Sequence, residues 1–380
     1  MTSDELLSKT INYLRFPLTV GVVFIHFNLV DHPISLHGVQ YGLNQPEWFR
    51  LLVIFFSGVL PQIGVPLFFV ISGFLFFYRG TFERKVYKQK LKKRMKTLLV
   101  PFLLWNVLAI LVQLLYQIPF LFPHATKVEV HFSIMRVFHT FFANFANKGI
   151  FVSPDYDMLE GGGFPYPINL PMWYVRDLMV MVLVSPLVYW LIRRMRKWLV
   201  IALGLVYYFY QPLFVPNGSW GVLLSQAAFF FSWGAFYSIN KTSFVDCFRR
   251  YRLAPLLYLP IAVIDALTMS ADYNLFIHEA GVIIGVVAVV VVVAYLLETG
   301  RVKVNETLAG SSFFVYALHL LIINDLSRVV ISFARLSNET YSVLLLYAAV
   351  PLLTSALCVW LYVLLKRYVP SLCYLLTGGR

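Results

Sequence analysis

Apolar residues in this chain gather into long runs, each far longer than the stripe of a surface helix, with short polar segments between them. A helix needs about 20 consecutive apolar residues to cross the hydrocarbon core of a bilayer. Ten runs meet or approach that length: about 12–30, 53–78, 97–118, 172–192, 198–215, 220–239, 253–271, 275–297, 308–331 and 341–365. The pattern predicts an all-α integral membrane protein with about ten transmembrane helices. The runs 198–215 and 253–271 are short and carry Pro212, Pro255 and Pro260. The run 53–78 is interrupted by "PQIGVP" at 61–66, which predicts an interfacial or broken start to that helix.

The polar positions orient these helices. With the N-terminus in the cytoplasm, 23 of the 31 lysines and arginines fall in segments on the cytoplasmic side and six in segments outside. That asymmetry obeys the positive-inside rule at every cytoplasmic turn, so both termini are expected in the cytoplasm. Composition agrees: 59% of residues are hydrophobic and 13% charged, against about 25% charged in a soluble domain. The net charge of +13 then reflects topology and contact with anionic membrane lipids. The basic residues hug helix ends and form no separate domain, which argues against a nucleic-acid partner. "MTSDELLSKT" carries two acids and no cleavage site, so the first run does not read as a signal peptide. Cys247, Cys358 and Cys373 are scattered, and no metal or redox pair is expected.

One connection, about 119–171, is long and falls outside. Its first part is amphipathic and suits the membrane interface. Its glycines, Gly161, Gly162 and Gly163, have no following Lys-Ser/Thr and read as a turn, not a phosphate loop. No internal repeat relates the two halves of the chain.

Ionisable groups inside apolar runs are costly and mark function more often than not. Arg15 and His26 share the first run. Eleven residues of helix rise about 16 Å and return to within roughly 20° of the same face. Arg15 then lies near the cytoplasmic boundary, as an anchor for phosphate or carboxylate, and His26 lies beyond the middle, as a group that moves protons near neutral pH. The competing reading has Arg15 snorkelling to lipid phosphate and His26 bonded to a neighbouring helix. His319 sits deepest, in "SSFFVYALHLLII", with Tyr316 three residues earlier on the same face. Arg176 and Asp177, after Trp173 in "LPMWYVRDL", read as a pair that satisfies itself near the interface. Asp265 and Glu279 read as helix-packing polar groups without an assigned role. The segment 79–96 holds nine basic residues. It reads first as a stop-transfer signal, and Arg94 leads from it directly into the third run.

Five motifs in order resemble the membrane-bound acyltransferase-3 family: "RFPLTVGVVFIH", "GVPLFFVISGFLFFY", "KKRMKTLLVPF", "LPMWYVRDL" and "SFFVYALH". Together they reach from residue 15 to 319. The resemblance implies one transmembrane acyltransferase domain over 1–380 with no fused soluble domain, in a cell membrane such as the bacterial inner membrane. It implies transfer of an acyl group, often acetyl, from cytoplasmic acyl-CoA to a hydroxyl of a cell-envelope sugar or glycan. It puts His26 at the catalytic position with Arg15 as its partner, supported by His319 and Tyr316. Arg15, Arg94 and Ser72 would hold the acyl-CoA donor, and Trp173, Arg176 and Asp177 the saccharide acceptor. No metal is implied. The stretch 27–63 is longer than the family pattern. Acyl transfer to an alcohol needs a base for the hydroxyl proton, which suits a neutral imidazole. No Ser or Cys in these motifs has a base beside it in sequence, while an acyl-His intermediate stays open. From the residues alone, a transporter or flippase of a glycan or anionic small molecule is the rival reading, because buried Arg and His with Pro-broken helices suit one as well.

Overall fold

A computed structural model describes residues 1–78, 82–118, 120, 128–143, 149–152, 166–214 and 220–379. In chain order the helices are α1 Ser3–Ile25, α2 Glu47–Val53, α3 Gly64–Phe77, α4 Arg84–Arg94, α5 Val100–Tyr116, α6 Ile134–Phe142, α7 Trp173–Leu183 and α8 Ser185–Met195. They continue with α9 Lys197–Phe214, α10 Trp220–Ile239, α11 Phe244–Phe248, α12 Ala254–Leu267, α13 Asn274–Glu298, α14 Glu306–Ala334, α15 Thr340–Tyr368 and α16 Pro370–Thr377. Four short strands, β1 Ile34–Leu36, β2 Val39–Tyr41, β3 Glu129–Val130 and β4 Phe151–Val152, form two antiparallel pairs. Residues 161–163 and His124 lie outside the described residues.

The protein is a helical membrane protein. Among the described residues six helices are long and apolar enough to cross a bilayer, or seven if the bent pair 170–195 counts as one. Of the other runs, α12 has 14 residues, and α1 has Lys9, Asn12 and Arg15 within it. Leu111 and Leu115 on α5, and Leu256, Leu259 and Val263 on α12, stand exposed, as lipid-facing side chains do.

Helix ends and bends follow from local chemistry. Helix α1 starts nine residues before the apolar run, because Thr2 accepts from the Glu5 N–H at 3.3 Å and Asp4 and Glu5 occupy the first turn. The run 53–78 is not broken but part of one continuous helical element from Glu47 to Phe77. A π-turn at Ile54–Val59 and a 3₁₀ turn at Leu60–Ile63 join α2 to α3, where Pro61 offers no N–H to the preceding turn. The basic segment runs unbroken into the third apolar run through a π-turn at Met95–Leu99, just before Pro101. The run 172–192 is bent by 63° between α7 and α8, with Pro186 in the first turn of α8.

The chain divides into two compact units. The first comprises 1–80 and 230–369. There α1 packs on α13, α14 and α15, and the hairpins α12–α13 and α14–α15 are the main neighbours. Its core joins Val23, Phe27 and Phe49 to Val315, Ile323 and Leu346. Gly73 and Gly234 let α3 and α10 cross closely, since a Cβ on either would fall inside the carbonyl of Phe231 or Val70 respectively. The long stretch after His26 forms the β1–β2 hairpin. The Tyr41 hydroxyl donates to the Leu336 carbonyl at 3.0 Å, and the Gly42 N–H donates to Asn338 Oδ1 at 3.1 Å. The second unit comprises 81–229 and 370–380. In it α16 packs on α5 and Trp105 Nε1 donates to the Leu376 carbonyl at 2.9 Å. Helix α6 is amphipathic and leaves Ile134, Met135 and Phe138 exposed.

Candidate functional site

The first unit brings together the two histidines expected at membrane depth. His26 ends α1 as its C-cap, with φ −82° and ψ 0°, so it stands at the helix terminus, not within the helix. His319 lies in the middle of α14 with no exposed surface. Their rings are 5.3 Å apart between centroids and inclined by 37°. The Tyr316 ring flanks His319 at 6.4 Å. His319 Nδ1 is 3.1 Å from the Val315 carbonyl. A carbonyl only accepts, so Nδ1 carries the proton and Nε2 presents a lone pair. Among the described residues that buried Nε2 has no hydrogen-bond partner. The arrangement is therefore a neutral imidazole locked in one tautomer, facing a second imidazole to which it is not bonded.

Arg15 is half-buried on α1, and its carbonyl accepts from Thr19 Oγ1 at 2.9 Å. Ser72 is half-buried on α3, next to the Gly73 crossing. An apolar crevice of about 280 Å³ runs along α1 from Leu14 to Phe24, lined also by Pro61 and Val293. Its wall on α1 lies roughly 130° around the helix from Arg15 and His26, so it is not the path between them.

The second unit holds the remaining expected site residues. Arg94 is half-buried where α4 and its π-turn pack on α7. Trp173 opens α7 and meets the Tyr166 ring edge-on at 6.5 Å. Burial pushes the Tyr166 phenol up to about 12, so it stays a neutral hydroxyl. Arg176 and Asp177 are buried against each other, Nε to Oδ1 at 2.7 Å, and Arg176 Nη1 donates to the Phe142 carbonyl at 2.6 Å. These bonds tie the two side chains to each other and Arg176 to the Phe142 carbonyl.

A third cluster went unassigned in the sequence. His278 Nδ1 is 2.9 Å from Asp265 Oδ2, and Asn274 Nδ2 donates to Asp265 Oδ1 and to the Asp265 carbonyl, both at 2.9 Å. The signal available was the short turn between the seventh and eighth runs, which folds residues on either side of it onto each other.

A family model described as an acyltransferase domain matches residues 8–363. The succinoglycan biosynthesis protein ExoH of Rhizobium meliloti (strain 1021) is 28% identical over 391 residues, covering 99% of this chain and 94% of that protein. No solved structure matches.

Proposed function

The chain belongs to the acyltransferase-3 family, and from that premise we propose that it moves an acyl group from cytoplasmic acyl-CoA to a hydroxyl of a cell-envelope glycan, with His26 as the base. It is an acyltransferase; the donor, the acceptor and the residue roles are this reading. The relative's name ties that protein to making succinoglycan, a polysaccharide, and this favours a saccharide acceptor. The observation that carries the reading is the facing, unbonded pair of His26 and His319 at 5.3 Å.

In the transition state the acceptor hydroxyl attacks the thioester carbonyl while His26 takes its proton, and the thiolate leaves. The proton goes on to the departing sulfur. The imidazolium at His26 lies beside the His319 ring, whose Nδ1 is committed to the Val315 carbonyl. In this reading the buried His319 ring positions His26. Arg15, about 16 Å along α1 from His26, anchors a donor phosphate near the cytoplasmic face, with fork geometry suited to phosphate oxygens. Arg94 ends a basic helix of the other unit, of a kind suited to an anion. The positive-inside asymmetry supports cytoplasmic termini, a donor arriving from the basic side and an acceptor outside.

The test is direct. Purified protein in lipid nanodiscs, given acetyl-CoA, releases thiol in proportion to ester formed on a glycan acceptor, and envelope glycans from cells lacking the protein lose an acyl mass. Acyl-CoA that neither binds nor turns over sinks the reading and favours a transporter.

A further inference from the structure

The α12–α13 hairpin carries a polar assembly that the proposed chemistry does not use. Asp265 is 2% exposed and Asn274 is 3% exposed. Both Asp265 carboxylate oxygens are engaged, Oδ1 by Asn274 and Oδ2 by His278 Nδ1. Asn274 also reaches Thr268 Oγ1 at 3.1 Å. The carboxylate therefore orients the imidazole: Nδ1–H donates to Asp265 and Nε2 lies on the far side of the ring. Among the described residues Nε2 has no partner, and the His278 side chain keeps 19% exposure. A carboxylate held on two sides, orienting an imidazole whose far nitrogen is left open, is more than two helices need to pack. Tyr273, at the same turn, is 58% exposed, and its ring offers an apolar face of the kind that the C–H side of a sugar ring covers.

We propose that Asp265 and His278 form a hydroxyl-binding subsite at the outer end of the α12–α13 hairpin, where His278 Nε2 hydrogen-bonds a sugar hydroxyl of the acceptor. This rests on the reading of the protein as an acyltransferase with an external glycan acceptor. The site's chemistry suits a neutral polyhydroxylated ligand: one oriented imidazole nitrogen and an exposed aromatic. Asp265 is a positioning residue and touches no substrate. Glu279, 4% exposed on the other side of His278 in sequence, adds a buried carboxyl to the same end of α13.

Two amides separate this role from a structural one. Asn at 278 places its amide where Nδ1 was and keeps the contact to Asp265. Gln reaches the position of Nε2 and keeps a hydrogen-bonding group there. The experiment uses the full chain in nanodiscs with acetyl-CoA and oligosaccharides from de-esterified succinoglycan as the probe acceptor. It measures donor KM, acceptor KM and thiol release without acceptor. His278→Asn and His278→Ala are expected to raise acceptor KM roughly five- to tenfold, the loss of about one hydrogen bond. Donor KM and acceptor-independent thiol release stay at wild-type values, and His278→Gln recovers most of the loss. The proposal is overturned if acceptor KM is unchanged in His278→Ala. It is also overturned if His278→Asn behaves as wild type while His278→Gln does not, which is the signature of a helix staple. Wild-type protein that binds acetyl-CoA but transfers nothing to the probe defeats the enclosing reading before any variant is made, and this inference with it.

Discussion

Two buried pairs invite comparison, Arg176–Asp177 in one unit and His26–His319 in the other. The first is closed: an ion pair at 2.7 Å, with Arg176 3% exposed and Asp177 fully buried, and a further bond to the Phe142 carbonyl. The second is open: two rings at 5.3 Å with no hydrogen bond between them, and a lone pair on His319 Nε2 directed by the Val315 carbonyl. A charge taken out of water must be neutralised where it sits, and this ion pair does that. A neutral imidazole costs less to bury and keeps a nitrogen available. The closed pair is equipped to hold helices, and the open pair to handle a proton.

The largest effect should come from opening the comparison at its catalytic end. His26→Ala should lower transfer by roughly 10²–10⁴ while acyl-CoA affinity stays close to wild type, because a base acts in the transition state. Transfer should also fall toward acid pH as the imidazole protonates, and that limb should vanish in the variant. Adding His319→Ala to His26→Ala should cost less than the product of the single losses, since an orienting residue then has nothing to orient. Wild-type transfer in His26→Ala, with His319→Ala inactive, would move the base to α14.

Next in size is the closed pair. Arg176→Ala leaves the Asp177 carboxylate buried and should cost about 3–5 kcal/mol of stability, read as a lower melting temperature in detergent. Arg176→Met with Asp177→Leu should recover most of that stability, since an apolar replacement of a buried pair is often neutral. A stable but inactive double variant would put this pair on the acceptor after all.

Arg15→Ala should weaken acyl-CoA binding by about 1.5–3 kcal/mol, the worth of a charged hydrogen bond. Arg15→Lys should restore it only in part, lacking the planar fork. Equal affinity in all three would mark Arg15 as a lipid contact. The smallest change is expected for Tyr316→Phe, which keeps the ring beside His319 and removes one hydroxyl. Its effect on transfer should stay under about 1.5 kcal/mol, and a loss as large as that of His26→Ala would make the hydroxyl a reacting group.

Much of this molecule is written locally. Runs of about 20 apolar residues can only be helices in lipid, where every backbone group must bond within its own segment. Helix class, the π and 3₁₀ turns around Pro61 and the passage of the basic segment into the helix at Pro101 follow from residues within a few positions of each other. The ion pair between the sequence neighbours Arg176 and Asp177 follows in the same way. The spacing of Arg15 and His26 is also local, although the helix stops at Ile25 and leaves His26 at its cap. What the sequence could not determine is which helix faces which. His26 and His319 are almost 300 positions apart, and the helical period says only that each points somewhere. Asp265 read singly as a packing residue, because its hydrogen bond to His278 exists only once α12 folds back on α13. The 63° bend between α7 and α8 is likewise invisible to a count of apolar residues. Periodicity reports an environment, apolar or polar, whereas a site is a set of directions and distances, and those are set only when helices pack.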